Sequence, residues 1–135
     1  MKEIVLNAEV ASIEKVTDFV NEELESNDCS MKAQLQIDVA IDEIMSNVAY
    51  YGYPDGNGQV RVTVDFPGNE AKVIIAFEDN GIEFNPLEKQ DPDVTLSADD
   101  RLVGGLGIFI VKKTMDDVRY ERKDNKNILT IEKTI

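Results

Sequence analysis

Residues 2–8 alternate apolar and polar side chains well enough to predict a short strand. From about 9 to 25, Val10, Ile13, Val16, Val20 and Leu24 recur at spacings of three and four, the pattern of an amphipathic helix. Asn27, Asp28 and Ser30 interrupt it, and Ser30 is placed to cap a second, longer helix over about 31–51. Within that helix Ile37, Ile41, Ile44 and Val48 fall within about 60° of one another on the helical wheel and mark the core-facing stripe. The segment Tyr51-Gly52-Tyr53-Pro54-Asp55-Gly56-Asn57-Gly58 ends the helix and turns the chain.

Two β-branched runs follow, 59–66 and 71–78, joined by Pro67-Gly68-Asn69-Glu70 and read as a hairpin. Residues 82–103 sustain no period, hold Pro86 and Pro92 among many acids, and read as a functional lid or a disordered excursion. Gly104-Gly105-Leu106-Gly107 then opens a helix to about Asp116, with Ile108, Val111 and Met115 inward. Strands near 117–122 and 127–134 close the chain around Lys123-Asp124-Asn125-Lys126. The order β-α-α-β-β-lid-α-β-β predicts an α+β two-layer sandwich, with helices on one face of a mixed, largely antiparallel sheet. No repeat or linker interrupts it, so residues 1–135 are expected to form a single domain.

Charge and missing residue types narrow the chemistry. With 14 Lys+Arg against 27 Asp+Glu the net charge is −13, which argues against nonspecific binding to nucleic acid or anionic membrane and points to neutral or basic partner surfaces. There is no His, and Cys29 is the only cysteine. Disulfide frameworks, Cys/His zinc sites, Ser-His triads and a histidine phosphoacceptor are excluded within this sequence. The start carries no signal-peptide core, and no stretch approaches the roughly 20 apolar residues of a membrane span, so a cytoplasmic location is expected.

Three segments hold residues suited to chemistry. Glu43 and Asn47 are four apart, stacked on one shoulder of the second helix beside the apolar stripe. They are either a solvated helix edge or the floor of a cleft, where a carboxylate accepts protons and an amide oxygen ligates a hard cation such as Mg²⁺. Phe77-Glu78-Asp79-Asn80-Gly81 is either a strand-ending turn or a strand-end acceptor for the amino group of a base, with Gly81 allowing close approach. Gly104-Gly105-Leu106-Gly107 is either a helix-entry turn or a phosphate cradle of backbone N–H groups, without the Lys-Ser/Thr of a P-loop.

In this order, DVAIDEIMSNVAYYGY, FEDNGIEF and VGGLGIFIVKKTMDDV resemble the N box and the two glycine boxes of the GHKL ATPases, the family of gyrase, heat-shock chaperone, histidine-kinase and mismatch-repair ATPases. Within it, the small size, the absent phosphoacceptor and the DEIMSN…YGYP segment are most similar to bacterial anti-sigma factor serine/threonine kinases of the RsbW type. The resemblance covers nearly the whole chain. It implies the GHKL (Bergerat) ATP-binding fold, ATP and Mg²⁺ as cofactors, Glu43 as general base and Asn47 as metal ligand. Asp79 and Gly81 would then meet adenine, Gly104, Gly105, Leu106 and Gly107 would line the phosphates, and Ser46 would support them.

Arg101, three residues before Gly104, corresponds to an Arg that such kinases carry near the second glycine box to neutralise γ-phosphoryl charge; a solvated Arg balancing Asp99 and Asp100 is the other reading. Tyr51, where relatives often have His, is read as packing. The partners implied are a sigma factor and a STAS-type anti-sigma-factor antagonist, with homodimerisation as seen in relatives. The other functional reading is a nucleotide-switched protein-binding module without turnover.

Overall fold

The computed structural model describes residues 1–53, 56–68, 70–88 and 105–135, the side chains of 105 and 106 excepted. Its elements are β1 (Lys2–Asn7), α1 (Ile13–Ser26), α2 (Met31–Asn47), β2 (Gln59–Asp65), β3 (Lys72–Asp79), α3 (Gly105–Thr114), β4 (Asp117–Lys123) and β5 (Lys126–Thr134). Short 3₁₀ turns precede α1 at Val10–Ser12 and follow β3 at Pro86–Glu88, and a π-helical turn, Val48–Gly52, continues α2.

The five strands form one sheet in the order β1-β2-β3-β5-β4. Every neighbouring pair is antiparallel, so the sheet is not mixed: α1 and α2 bring β2 back beside β1, and α3 brings β4 in at the far edge. Strand alternation decides the faces. Val60, Val62 and Val64 of β2, Val73, Ile75 and Phe77 of β3, and Leu129 and Ile131 of β5 point to the helices and are buried. The helices answer with Val16, Val20 and Leu24, with Ile37, Ile41 and Ile44, and with Ile108, Val111 and Met115. At about 25 cal/mol per Å² of apolar surface removed from water, this one continuous core is the main stabilising term of the fold.

Local chemistry sets the ends. Ser30 Oγ accepts from Ala33 N at 3.2 Å and starts α2 as expected. α1 stops where Asp28 takes φ 58°, and the β4–β5 hairpin turns through Asp124 and Asn125 at φ 53° and 62°, the doubly left-handed geometry of a tight two-residue hairpin. One difference from the pattern lies at the start of α1: the 3₁₀ turn moves Val10 off the apolar stripe, leaving it 50% exposed. Most of the expected lid, 89–103, lies outside the described residues. Among the described residues no helix is long and apolar enough to cross a membrane.

Candidate active site

Where the C-terminal half of α2 meets the ends of β3, β4 and β5, a small cavity of about 30 Å³ opens. One wall is Ile44, Asn47, Val48 and Gly52; the other is Phe77, Asp79, Tyr120, Asn127 and Leu129, with Phe84 and Pro86 at the rim. Apolar walls with a few convergent polar groups suit a flat, partly polar ligand.

Asp79 faces inward because it keeps the parity of Val73, Ile75 and Phe77, and it is only 6% exposed. Its Oδ1 accepts from Gly81 N at 2.8 Å and from Asn127 Nδ2 at 3.0 Å. Burial pushes its carboxyl up, while those two donors and the Arg122 charge pull the other way. The close approach that Gly81 allows within the chain is to Gly52: a methyl at 81 would overlap the Gly52 carbonyl, whose oxygen accepts from Ile82 N at 2.9 Å. Arg122 Nη1 holds the Gly81 carbonyl at 2.9 Å. The π-helical turn puts Gly52 there, extending α2 by one wide turn toward Asp79, an irregularity common at functional sites. Tyr53 anchors the next segment, its hydroxyl accepting from Asn80 N at 2.7 Å and donating to Gln59 O at 2.9 Å. Tyr51 packs as expected, its ring stacked on Phe84 with centroids 5.1 Å apart.

Glu43 and Asn47 are both half-buried, on the shoulder that helical periodicity gave them. The Glu43 carboxylate lies against the first turn of α3, where a Cβ at Gly107 would overlap it. Burial first, and the neighbouring charge of Asp42 second, push its carboxyl above the ordinary range. Asn47 Nδ2 is buried and has no hydrogen-bond partner among the described residues. Gly105, Leu106 and Gly107 form the opening turn of α3, where backbone N–H groups lack intrahelical acceptors and the helix dipole is positive. Ser46 is half-buried beside Asn47 but does not line the cavity. Arg101 and Gly104 lie outside the described residues. Among the described residues there is no group of three or more acidic or thiol side chains that could hold a metal ion.

The structure thus brings Glu43 to Gly107, and Asn47 and Asp79 to one cavity. Asn127, Tyr120 and Arg122 were not singled out in the sequence. Asn127 could have been found: it has the parity of Leu129 and Ile131, and a polar residue at a core-facing strand position calls for a partner.

Comparison with known proteins bears on this arrangement. The serine/threonine-protein kinase BtrW of Bordetella bronchiseptica is 26% identical over 103 residues, covering 76% of this chain and 71% of the relative. The anti-sigma F factor of Clostridium kluyveri is 25% identical, covering 73% of this chain and 68% of its own. The serine-protein kinase RsbW of Listeria monocytogenes is 32% identical over 67% of this chain, which spans 59% of that relative's length. Among solved structures, the catalytic domain of the histidine kinase ThkA superposes with a TM-score of 0.55 at 15% identity, covering 99% of this chain and 97% of that domain. The histidine kinase domain of the Erythrobacter litoralis blue-light activated kinase gives 0.60 at 11% identity, covering 93% of this chain and 60% of that one. Those two likenesses concern the fold. The profile described as the histidine kinase-like ATPase domain matches residues 6–133, nearly the full length that builds the sheet and the cavity, and the chain belongs to that family.

Proposed function

We propose that this chain is an ATP- and Mg²⁺-dependent protein serine/threonine kinase that also serves as an anti-sigma factor, phosphorylating a STAS-type antagonist of itself. The observation that carries this reading is the Glu43 carboxylate held against Gly107, at the N-terminal turn of α3. A site for nucleotide binding alone has no use for a proton acceptor there. The relatives named as serine or serine/threonine kinases and as an anti-sigma factor support the same assignment.

The residues present fit the cofactor. The Asn47 amide has a buried Nδ2 without a partner among the described residues, and an amide can present either its nitrogen or its oxygen to a ligand. When bound, Mg·ATP supplies the transferable phosphoryl group and the cation that neutralises its charge. Asp79 accepts a hydrogen bond from the exocyclic amine of the base. Asn47 would hold the cation through Oδ1. The free N–H groups at the start of α3 orient the phosphates, unobstructed because positions 105 and 107 lack side chains. Glu43 takes the proton from the incoming Ser or Thr hydroxyl, and its raised pKa makes it the better acceptor once ionised. Phosphorylation adds charge near −2 to the antagonist, and repulsion from a protein of net charge −13 helps release it, leaving this chain free for its sigma factor.

The test is nucleotide titration alongside single-turnover phosphorylation of candidate antagonists with γ-labelled ATP. Glu43→Gln is expected to bind ATP close to normally while transfer slows about 10²- to 10⁴-fold. Near-normal transfer by the variant overturns the base assignment. A wild type that binds ATP yet labels no antagonist points to the non-catalytic, nucleotide-switched binding module.

A further inference from the structure

Asn127 occupies the first core-facing position of β5 and is 6% exposed, where its successors at that parity are Leu129 and Ile131. A carboxamide so placed is costly unless its polar atoms are paired. Here they are. Oδ1 accepts from the Tyr120 hydroxyl at 2.5 Å and from Phe84 N at 3.3 Å; Nδ2 donates to Ile82 O at 2.8 Å and to Asp79 Oδ1 at 3.0 Å. Two of these partners allow no choice, since a backbone N–H can only donate and a backbone carbonyl can only accept. Phe84 and Ile82 therefore decide which end of the amide is oxygen, and the Nδ2 end is the one that meets Asp79.

Gly81 N and Asn127 Nδ2 converge on the same oxygen, so they set the orientation of the whole carboxylate within the cavity. They also bear on its charge state, opposing the burial that raises the carboxyl overall. Burial alone favours the neutral acid, which can donate as well as accept; the two N–H donors and Arg122 favour the ion, which only accepts. Among the described residues, the phenols of Tyr53 and Tyr120 are also coupled to Asp79.

We infer that Asn127 is a positioning and specificity-determining residue, holding Asp79 through Nδ2 so that the cavity presents an acceptor and takes a purine with an exocyclic amine in preference to one with a carbonyl at that position. This rests on the proposed function only in taking the cavity to receive a nucleotide base. Without Asn127, Asp79 keeps one N–H donor on Oδ1, holds a proton to higher pH, and can then donate to a carbonyl.

The experiment titrates wild type, Asn127→Leu and Asn127→Asp with ATP and with ITP from about pH 5 to 8, and follows the Asp79 carboxyl carbon by NMR in the nucleotide-free proteins. Wild type is expected to prefer ATP by roughly tenfold or more across the range. Asn127→Leu should lose most of that preference, first at the acid end, with the Asp79 titration displaced to higher pH. Asn127→Asp is the second variant: it is nearly isosteric and still accepts from Tyr120 and Phe84, but it no longer donates to Ile82 O and sets a second carboxyl oxygen against Asp79, which also raises the titration. Folded variants with the wild-type ATP:ITP ratio and an unmoved Asp79 titration overturn the inference alone. A wild type that binds neither nucleotide overturns the proposed function, and the specificity role with it.

Discussion

A methyl group at Gly81 would meet the Gly52 carbonyl, a backbone group held by the Ile82–Gly52 hydrogen bond, and nothing there can yield cheaply. A methyl at Gly107 would meet only the end of the Glu43 side chain, which can swing away. Gly81→Ala is therefore expected to cost about 1–3 kcal/mol of stability through overpacking. Gly107→Ala should keep its stability within about 1 kcal/mol, since Ala is the better helix residue, while displacing the carboxylate from its station. Chemical denaturation and single-turnover transfer measured on both variants check this. Equal destabilisation of the two, or full transfer by Gly107→Ala, would contradict the picture of Gly107 as the seat of Glu43. At this scale the sequence was informative where one residue type is unusual for its pattern, as at Glu43, Asn47 and Asp79. It was silent on Arg122, whose bond to the Gly81 carbonyl gives an otherwise ordinary strand residue its role.

Among the elements, α2 carries the most consequence. Its stripe seals the core, its shoulder presents Glu43 and Asn47, and its continuation as a π-helical turn delivers Gly52 to Asp79. The cap at Ser30 and the chemistry at Asn47 stand at opposite ends of this 17-residue helix, about 25 Å apart at 1.5 Å per residue. Ser30→Ala removes one hydrogen bond to the first turn and should lower stability by about 1 kcal/mol, within a range of roughly 0.5–2. Nucleotide affinity should be unchanged. A loss of affinity beyond what the unfolded fraction explains would mean that the two ends of α2 are coupled. The helical period over about 31–51 was legible because it is local; the switch from α to π at Val48 was not, because it answers to contacts with β3 and the turn after it.

Across the described residues, two sets of acidic groups stand apart from the ordinary carboxylate range. Asp38, Glu43 and Asp79 are raised, chiefly by burial; Asp116 and Glu132 are lowered, by hydrogen bonds from Thr134 and from Arg119 and Lys72. A raised carboxyl binds its proton more tightly folded than unfolded, so its contribution falls as pH rises from the ordinary carboxylate range near 4 up through the folded value. The lowered pair contributes stability above that range and loses it as pH falls through the folded values. With a net charge of −13 adding self-repulsion once all carboxyls ionise, stability is expected to peak at about pH 5 and to decline gently toward pH 8, less steeply in high salt. Urea midpoints from pH 4 to 8 at two ionic strengths measure this, and a midpoint climbing steadily from pH 5 to 8 would refute it.

The sequence by itself determined the element order, most of the inward stripe of each helix and three motifs specific enough to name a family. All of these follow from short-range periodicity and from the residue types that turns and helix ends demand. Tertiary structure decided what meets what. A period of two says which face a strand buries but not which strand lies beside it, so only folding places β5 between β3 and β4 and makes every pairing antiparallel. The same holds for the site: Asn127 reaches Asp79 across 48 residues of chain, and Glu43 meets Gly107 because α2 and α3 pack on one face of one sheet. Such contacts depend on the shape of the closed core, which no local window of the sequence contains.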